Sequence, residues 1–387
     1  MDNLKPPESV APLAPKSTEY LNAFRGLAAF WVLAAHCCIW TGYRHVPNPK
    51  MAVDLFMILS GFLMAYTVSA RESREPMTRS SSWLVFYVRR FFRIAPLYYF
   101  VLLFLIFEGD AFKNGLALIQ QLNLQQWAGD TNNNPALTHY DATNLALHAS
   151  FLFGLSPFYS SSTLLPDWSL SLEMQFYAVF PAIFLLTKRY GVVRTCAVLG
   201  ALSLVLHFFF HRYLLFREPS ALPLKLPSFL IGILIFEADR RRGDRRNILA
   251  LIAFLSFAQF LTYRAYMPLM WVLVAALYLL WTEKGLENIR AALDNRLTRF
   301  ASDVSYSVYL VHGFAISFLG SHLYASLLAH DWPRPVATAA VAVSVIPASY
   351  GVAYLTHKYV ELPGIAGGKY VIGRLASREA QSVSLQA

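Results

Sequence analysis

Charge is what this 387-residue chain has little of. Asp, Glu, Lys and Arg together make 14% of it, while 56% is hydrophobic. A soluble domain carries about 25% charged residues, so the shortage excludes an ordinary soluble enzyme and points to a membrane protein. Cysteine is scarcer still: Cys37 and Cys38 are adjacent, Cys196 stands alone, and no disulfide framework follows. Residues 1–19 lack both a short apolar core and a small-residue cleavage site. They read as a polar, proline-rich cytoplasmic tail and not as a signal peptide. No internal repeat and no second soluble domain is visible. The net charge of +10 invites a nucleic-acid partner, but the basic residues fall in short loops between apolar runs. That placement excludes nucleic acid and leaves membrane lipids as the anionic surface.

Apolar runs of about 20 residues fall at 20–40, 51–70, 92–109, 166–187, 193–211, 224–239, 247–263, 266–283, 302–322 and 335–356. The expected fold is therefore all-α and polytopic, with ten transmembrane helices. Pro96 is expected to start or kink the third span. With the N-terminus placed in the cytoplasm, 25 of the 33 Lys and Arg residues lie on inner segments and 8 on outer ones. This bias fits ten spans with both termini inside. The longest outer segment, 110–165, begins with an apolar-polar run at 116–127 that suits an interfacial helix. The rest suits a plain loop or a lid over a sugar.

Six stretches carry candidate chemistry. In YLNAFRGLAAFWVLAAH (20–36), Arg25 and His36 are eleven residues apart, so they return to within about 20° of one helix face and sit about 16 Å apart along the axis. They are either a positive-inside anchor and a satisfied polar residue, or a functional pair in which His36 accepts protons near neutral pH. In AVDLFMILSGFLMAY (52–66), Asp54 either meets water or holds the His36 imidazole. Ser60 and Gly61 either permit close helix approach or line a substrate tunnel. In FYVRRFFRIAPLYY (86–99), Arg89, Arg90 and Arg93 either anchor lipid headgroups or supply a clamp, Arg90 with Arg93, on one phosphate.

The fourth stretch is PDWSLSLEMQFYAVFP (166–181). Glu173 lies inside a span, where a carboxylate marks function. It shares a face with Ser169, and Trp168 heads the helix. In SDVSYSVYLVHGF (302–314), Ser305, Tyr309 and His312 form one polar stripe, for interhelical hydrogen bonds or for a site. In KYVELPG (358–364), Glu361 near the basic loops is expected to form a salt bridge.

Taken in order, FRGLAAFWVLAAH, VDLFMILSGFLM, VRRFFRIAPLYY, WSLSLEMQFYAVFP, YSVYLVH and YVELP resemble the acyltransferase 3 family of bacterial integral-membrane O-acyltransferases. The resemblance runs from residue 20 to about 365. The family's arginine-x10-histidine pattern falls on Arg25 and His36, and its arginine-x-x-arginine pattern on Arg90 and Arg93. Met57 departs from a frequent phenylalanine. The resemblance implies a transmembrane domain over 20–365, with cytoplasmic tails at 1–19 and 366–387, in the bacterial cytoplasmic (inner) membrane. It implies transfer of an acyl group, acetyl by default, from cytoplasmic acyl-CoA to a hydroxyl of a glycan or lipid-linked saccharide such as O-antigen or exopolysaccharide. Acyl-CoA (acetyl-CoA) is a co-substrate; no permanently bound cofactor and no metal is expected. Arg90, Arg93 and Arg25 would meet donor phosphates, while His36, Asp54 and Glu173 would do proton work, with Asp54 or Glu173 orienting the imidazole. Some relatives add an extracytoplasmic hydrolase-like domain. The sequence to 387 carries none, so a second transfer step would be expected of another protein. A proton-coupled transporter or flippase of a glycan or lipid-linked intermediate is the rival. Against it, no paired Gly- or Pro-broken helices recur in two halves.

Overall fold

The computed structural model describes residues 18–43, 45–124 and 141–384, and these are helices and turns with no strand. Eight helices are long and apolar enough to cross a membrane. One of the eight, Arg242–Thr282, is two pieces. Arg264 takes φ 45° and ψ −105°, which no helix tolerates, and Phe257 lies 6.4 Å from Trp271 across the break. Fourteen residues of straight helix would put those rings about 21 Å apart, so the chain folds back on itself there.

With that break counted, helices lie on all ten apolar runs, although several bounds move. They are α1 (Leu21–Trp40), α2 (Pro49–Arg71) and α3 (Ser80–Gln121), then, after the short α4 (Ala142–Ala149), α5 (Trp168–Tyr190), α6 (Val192–Tyr213), α7 (Leu226–Arg240), α8 (Arg245–Phe260) and α9 (Met267–Thr282). Two short helices, α10 (Glu287–Leu293) and α11 (Arg296–Asp303), lead to α12 (Ser305–Ala315). That helix passes through a π-turn into α13 (Ser321–Ala329), and α14 (Arg334–Thr356) passes through another into α15 (Leu362–Ser384).

Three expectations need correction. The third helix starts twelve residues before the expected 92 and runs 42 residues through Pro96. The proline neither starts nor ends it, and Gly364 of α15, which has no Cβ, packs directly on the Pro96 ring. Gly368 packs on Phe92 in the same way. The residues from 366 onward, expected as a tail, are thus helical to Ser384 and lie along α3. Leu116–Gln121 completes α3 and is no separate interfacial helix; 125–127 and the GDTNNNP run lie outside the described residues.

The most intimate packing in the molecule joins α2 and α7. Gly61 of α2 sits on the Phe229 carbonyl oxygen, and Gly232 of α7 sits on the Ile58 carbonyl oxygen. Small residues let backbones approach where lipid supplies no hydrophobic drive. Helix α7 has only 15 residues and is buried along its whole length from Leu226 to Ala238. Protein surrounds it, so it need not match the ~30 Å apolar thickness of a bilayer. Gly61 therefore serves helix approach and does not line a tunnel.

A side chain at Gly232 must displace backbone, and overpacking of this kind costs about 1–3 kcal/mol. Gly232→Val is expected to lower the thermal unfolding midpoint in detergent. Gly351→Ala, whose Cβ meets open space, is not. Equal midpoints for Gly232→Val and the parent would contradict this packing.

Candidate active site

Two cavities lie end to end through the helix bundle. The first, of about 220 Å³, is lined by Arg25, Arg90, Arg93, Glu173, Ser60 and Tyr306, with apolar walls from Met57, Leu63, Met64 and Phe229. It begins at Thr67 and Arg90, near the end of the bundle that carries the arginine cluster, and reaches Ser169 and Tyr309. The second, of about 290 Å³, is lined by His36, His312, Trp40, Trp168, Ser160 and Ser161, and ends at Lys50, Arg217 and Glu218. Val53 and Tyr309 line both. Most of the expected residues thus lie along one route, in two chambers, while Asp54 and Gly61 line neither.

The arginine chamber is rich in positive charge for a site between membrane helices. Arg25 makes no side-chain hydrogen bond or ion pair among the described residues. Arg90 donates to Thr67 Oγ1 at 3.2 Å. Its guanidinium lies over the Phe86 and Tyr177 rings at 5.6 and 5.8 Å, and its buried Nε has no partner. Arg93 pairs with Glu361, whose other oxygen accepts from Ser307 at 2.9 Å and lies 3.1 Å from His357 Nδ1. The expected salt bridge at Glu361 is present, and its partner is Arg93. Arg90 and Arg93 face one cavity but hold different protein groups. Arg89 is turned away altogether, held by both oxygens of Glu75 at 3.0 and 2.8 Å. That loop carboxyl is pulled below its usual range by the Arg89 hydrogen bonds.

Glu173 belongs to this chamber, not to that of His36. Its Oε1 accepts from Ser60 Oγ at 3.2 Å and from the Tyr177 hydroxyl. Ser60 therefore lines the cavity, as one sequence reading allowed. The Tyr309 hydroxyl donates to the Pro166 carbonyl at 2.6 Å and so accepts from Ser169 Oγ at 2.8 Å.

In the second chamber, His36 Nδ1 lies 2.8 Å from His312 Nε2, with the two rings nearly parallel at 6°. His312 Nδ1 lies 3.1 Å from the Val308 carbonyl oxygen. A carbonyl only accepts, so His312 carries its proton on Nδ1 and, when neutral, accepts at Nε2. His36 then donates from Nδ1, which leaves the lone pair on its Nε2. That nitrogen has no hydrogen bond among the described residues. A chain of two imidazoles anchored on a backbone carbonyl fixes the tautomer a base requires.

Neither Asp54 nor Glu173 orients His36, contrary to expectation. Asp54 is fully buried and accepts from Lys225 Nζ at 2.8 Å, from Ser228 Oγ at 2.8 Å and from the Tyr263 hydroxyl. A buried carboxylate persists when paired and hydrogen-bonded, and Lys225 on the α7 entry supplies the charge. This partner was read in sequence only as one more outer basic residue. His148 was also missed. It is buried among Tyr98, Asp167 and Ser162 in the segment expected as a plain loop, at 2.7, 3.4 and 2.9 Å respectively. That network packs the Ser160–Ser162 run against α3.

Removing one partner of a buried ion pair costs about 3–5 kcal/mol. Asp54→Asn is expected to lower thermal stability sharply, and Asp54→Asn with Lys225→Met to recover part of the loss. If Asp54 instead served His36, the single variant would keep its stability and lose only activity.

An acyltransferase 3 family model, described as an acyltransferase domain, matches residues 18–354. Over 177 residues the chain is 25% identical to the peptidoglycan O-acetyltransferase OatA of Listeria monocytogenes. The match takes in 44% of this chain and 24% of that protein's length. No solved structure matches. With 18–354 matched and every motif of the resemblance placed on a bundle helix or its π-turn, the chain belongs to the acyltransferase 3 family.

Proposed function

We propose that this protein moves an acyl group, most simply acetyl, from an acyl-CoA in the arginine chamber to a glycan hydroxyl in the histidine chamber. The carrying observation is the pairing of the two chambers. One holds three arginines, Arg25, Arg90 and Arg93, against a single lining carboxylate among the described residues, that of Glu173, and the other holds an imidazole locked in the basic tautomer.

An arginine between membrane helices is costly unless something pairs with it. Among the described residues, Arg25 and Arg90 make no hydrogen bond to a carboxylate, and Glu173 is the one acidic side chain lining a chamber that holds three arginines, so an anionic ligand would offset the remaining cost. Guanidinium groups bind phosphates with matched geometry, and the apolar walls of Met57, Leu63 and Met64 suit a pantetheine arm. The basic end would face the cytoplasm, where acyl-CoA is made, which agrees with the distribution of Lys and Arg. The cell-surface or exported glycan would then enter the other chamber, between Trp40 and Trp168.

In the transfer, the acceptor hydroxyl oxygen attacks the thioester carbonyl carbon as its proton passes to His36 Nε2. The C–S bond breaks and the proton returns to the sulfur, leaving the CoA thiol and an ester. His312 accepts from His36 Nδ1 throughout and stabilises the imidazolium, the part a carboxylate plays in a serine-hydrolase triad. Arg25, one chamber below on the same helix, is placed to offset negative charge on the thioester oxygen.

A positioned base contributes about 10²–10⁴-fold. His36→Ala is expected to lower kcat for acetyl transfer within that range, Arg25→Ala to lower kcat as well, and Arg93→Ala to raise KM for acetyl-CoA. Purified protein in detergent, without any gradient, should consume acetyl-CoA when acceptor is present. Full activity in a well-inserted His36→Ala variant removes the base. No consumption at all favours a proton-coupled glycan transporter.

A further inference from the structure

Tyr309 is the one ionisable side chain among the described residues that lines both chambers, and with Val53 it forms the waist between them. Its hydroxyl is tied to the opposite wall at two points, Pro166 O at 2.6 Å and Ser169 Oγ at 2.8 Å. Its ring stands edge-on to Phe56 at 6.2 Å and tilted to His312 at 6.2 Å. Pro166 and Ser169 bracket the start of α5, so the two hydrogen bonds pin α12 to that helix end.

We propose that the Tyr309 ring is a shutter. Closed, it keeps water of the histidine chamber away from the thioester in the arginine chamber. It swings aside only when acceptor occupies the histidine chamber. This rests on the acyl-transfer reading and adds to it a reason for hydrolysis to be suppressed. Water is the competing nucleophile: its oxygen would bond to the carbonyl carbon, the C–S bond would break, and CoA thiol and free carboxylic acid would result with nothing acylated. A passage open from end to end would permit that reaction whenever donor was bound. Excluding water from the reacting centre is a recognised role of closing elements. The tether here is two hydrogen bonds at one hydroxyl, one donated to the Pro166 carbonyl and one accepted from Ser169, an arrangement weak enough to break as acceptor enters.

Two variants separate the hydroxyl from the ring. Tyr309→Phe keeps the plug and loses the tether. Since each hydrogen bond is a modest net contribution, it should raise the open population about tenfold. Tyr309→Ala removes the plug. The first readout is acceptor-free release of CoA thiol from acetyl-CoA by purified protein. It should be near background in the parent, higher in Tyr309→Phe and highest in Tyr309→Ala, while acyl transferred per CoA released falls in the same order. The second readout does not depend on chemistry. Leu63→Cys, on the arginine chamber alone, is placed in a protein whose Cys37, Cys38 and Cys196 are replaced by alanine. Charged, membrane-impermeant methanethiosulfonate is then added to right-side-out or inside-out vesicles. With Tyr309 present the thiol should react from one side only, and with Tyr309→Ala from both. Reaction from both sides in the parent, or from one side in both tyrosine variants, overturns the shutter. Two-sided reaction on opening, with no CoA released by any variant under any condition, leaves the shutter standing and overturns acyl transfer instead.

Discussion

A guanidinium cannot be left in hydrocarbon, and that constraint shapes the bundle around its arginine chamber. Each arginine beside the cavity is treated differently. Arg89 is neutralised by Glu75 and turned away, Arg93 is held by Glu361, and Arg90 lies over two neighbouring aromatic rings. Arg25 is held by nothing else that is described. The helices α1, α2, α3, α5 and α12 line the hollow that holds Arg25, Arg90 and Arg93. The resulting hollow is walled by methionine and leucine but carries positive charge. Such a space is complementary to a long ligand with an anionic head and an apolar arm.

The second chamber answers a different need. Its histidine sits on the same stripe of α1 as Arg25, which is why one helix serves both chambers. The imidazole is oriented by another imidazole and not by a carboxylate. In a low-dielectric interior a buried carboxylate needs a cation or several donors of its own. Asp54 has found these in Lys225, Ser228 and Tyr263. A neutral histidine tied to a backbone carbonyl fixes a tautomer without bringing a second charge into the bundle.

Much of this was legible in the sequence, and the reasons for the rest are physical. Apolar runs located ten helices, because a span has to be apolar over its length, but not α15, whose residues from 366 were expected as a tail. The eleven-residue spacing of Arg25 and His36 placed both on one face, because helical geometry leaves no choice. A salt bridge at Glu361 followed from charge sign and position, but its partner did not, since Arg93 was expected in a phosphate clamp with Arg90. Depth was harder. Asp54 and Glu173 were both assigned to His36 from their distance along their own helices, but the side a residue faces depends on how its helix is rotated against neighbours. Close packing of Gly61 and Gly232 turns α2 so that Asp54 meets α7. The close packing of Gly364 on Pro96 and of Gly368 on Phe92 was hidden too, since it joins residues some 270 positions apart.

The division of labour between the chambers is tested most directly by photo-crosslinking. An acyl-CoA analogue carrying a diazirine on its pantetheine arm would be bound to the purified protein, irradiated, and its adducts mapped by mass spectrometry. The account predicts adducts on peptides holding Met64, Thr67 and Tyr177, displaced by excess acetyl-CoA. Adducts confined to peptides holding Trp40 and Trp168, equally displaceable, would place the donor in the wrong chamber and contradict it.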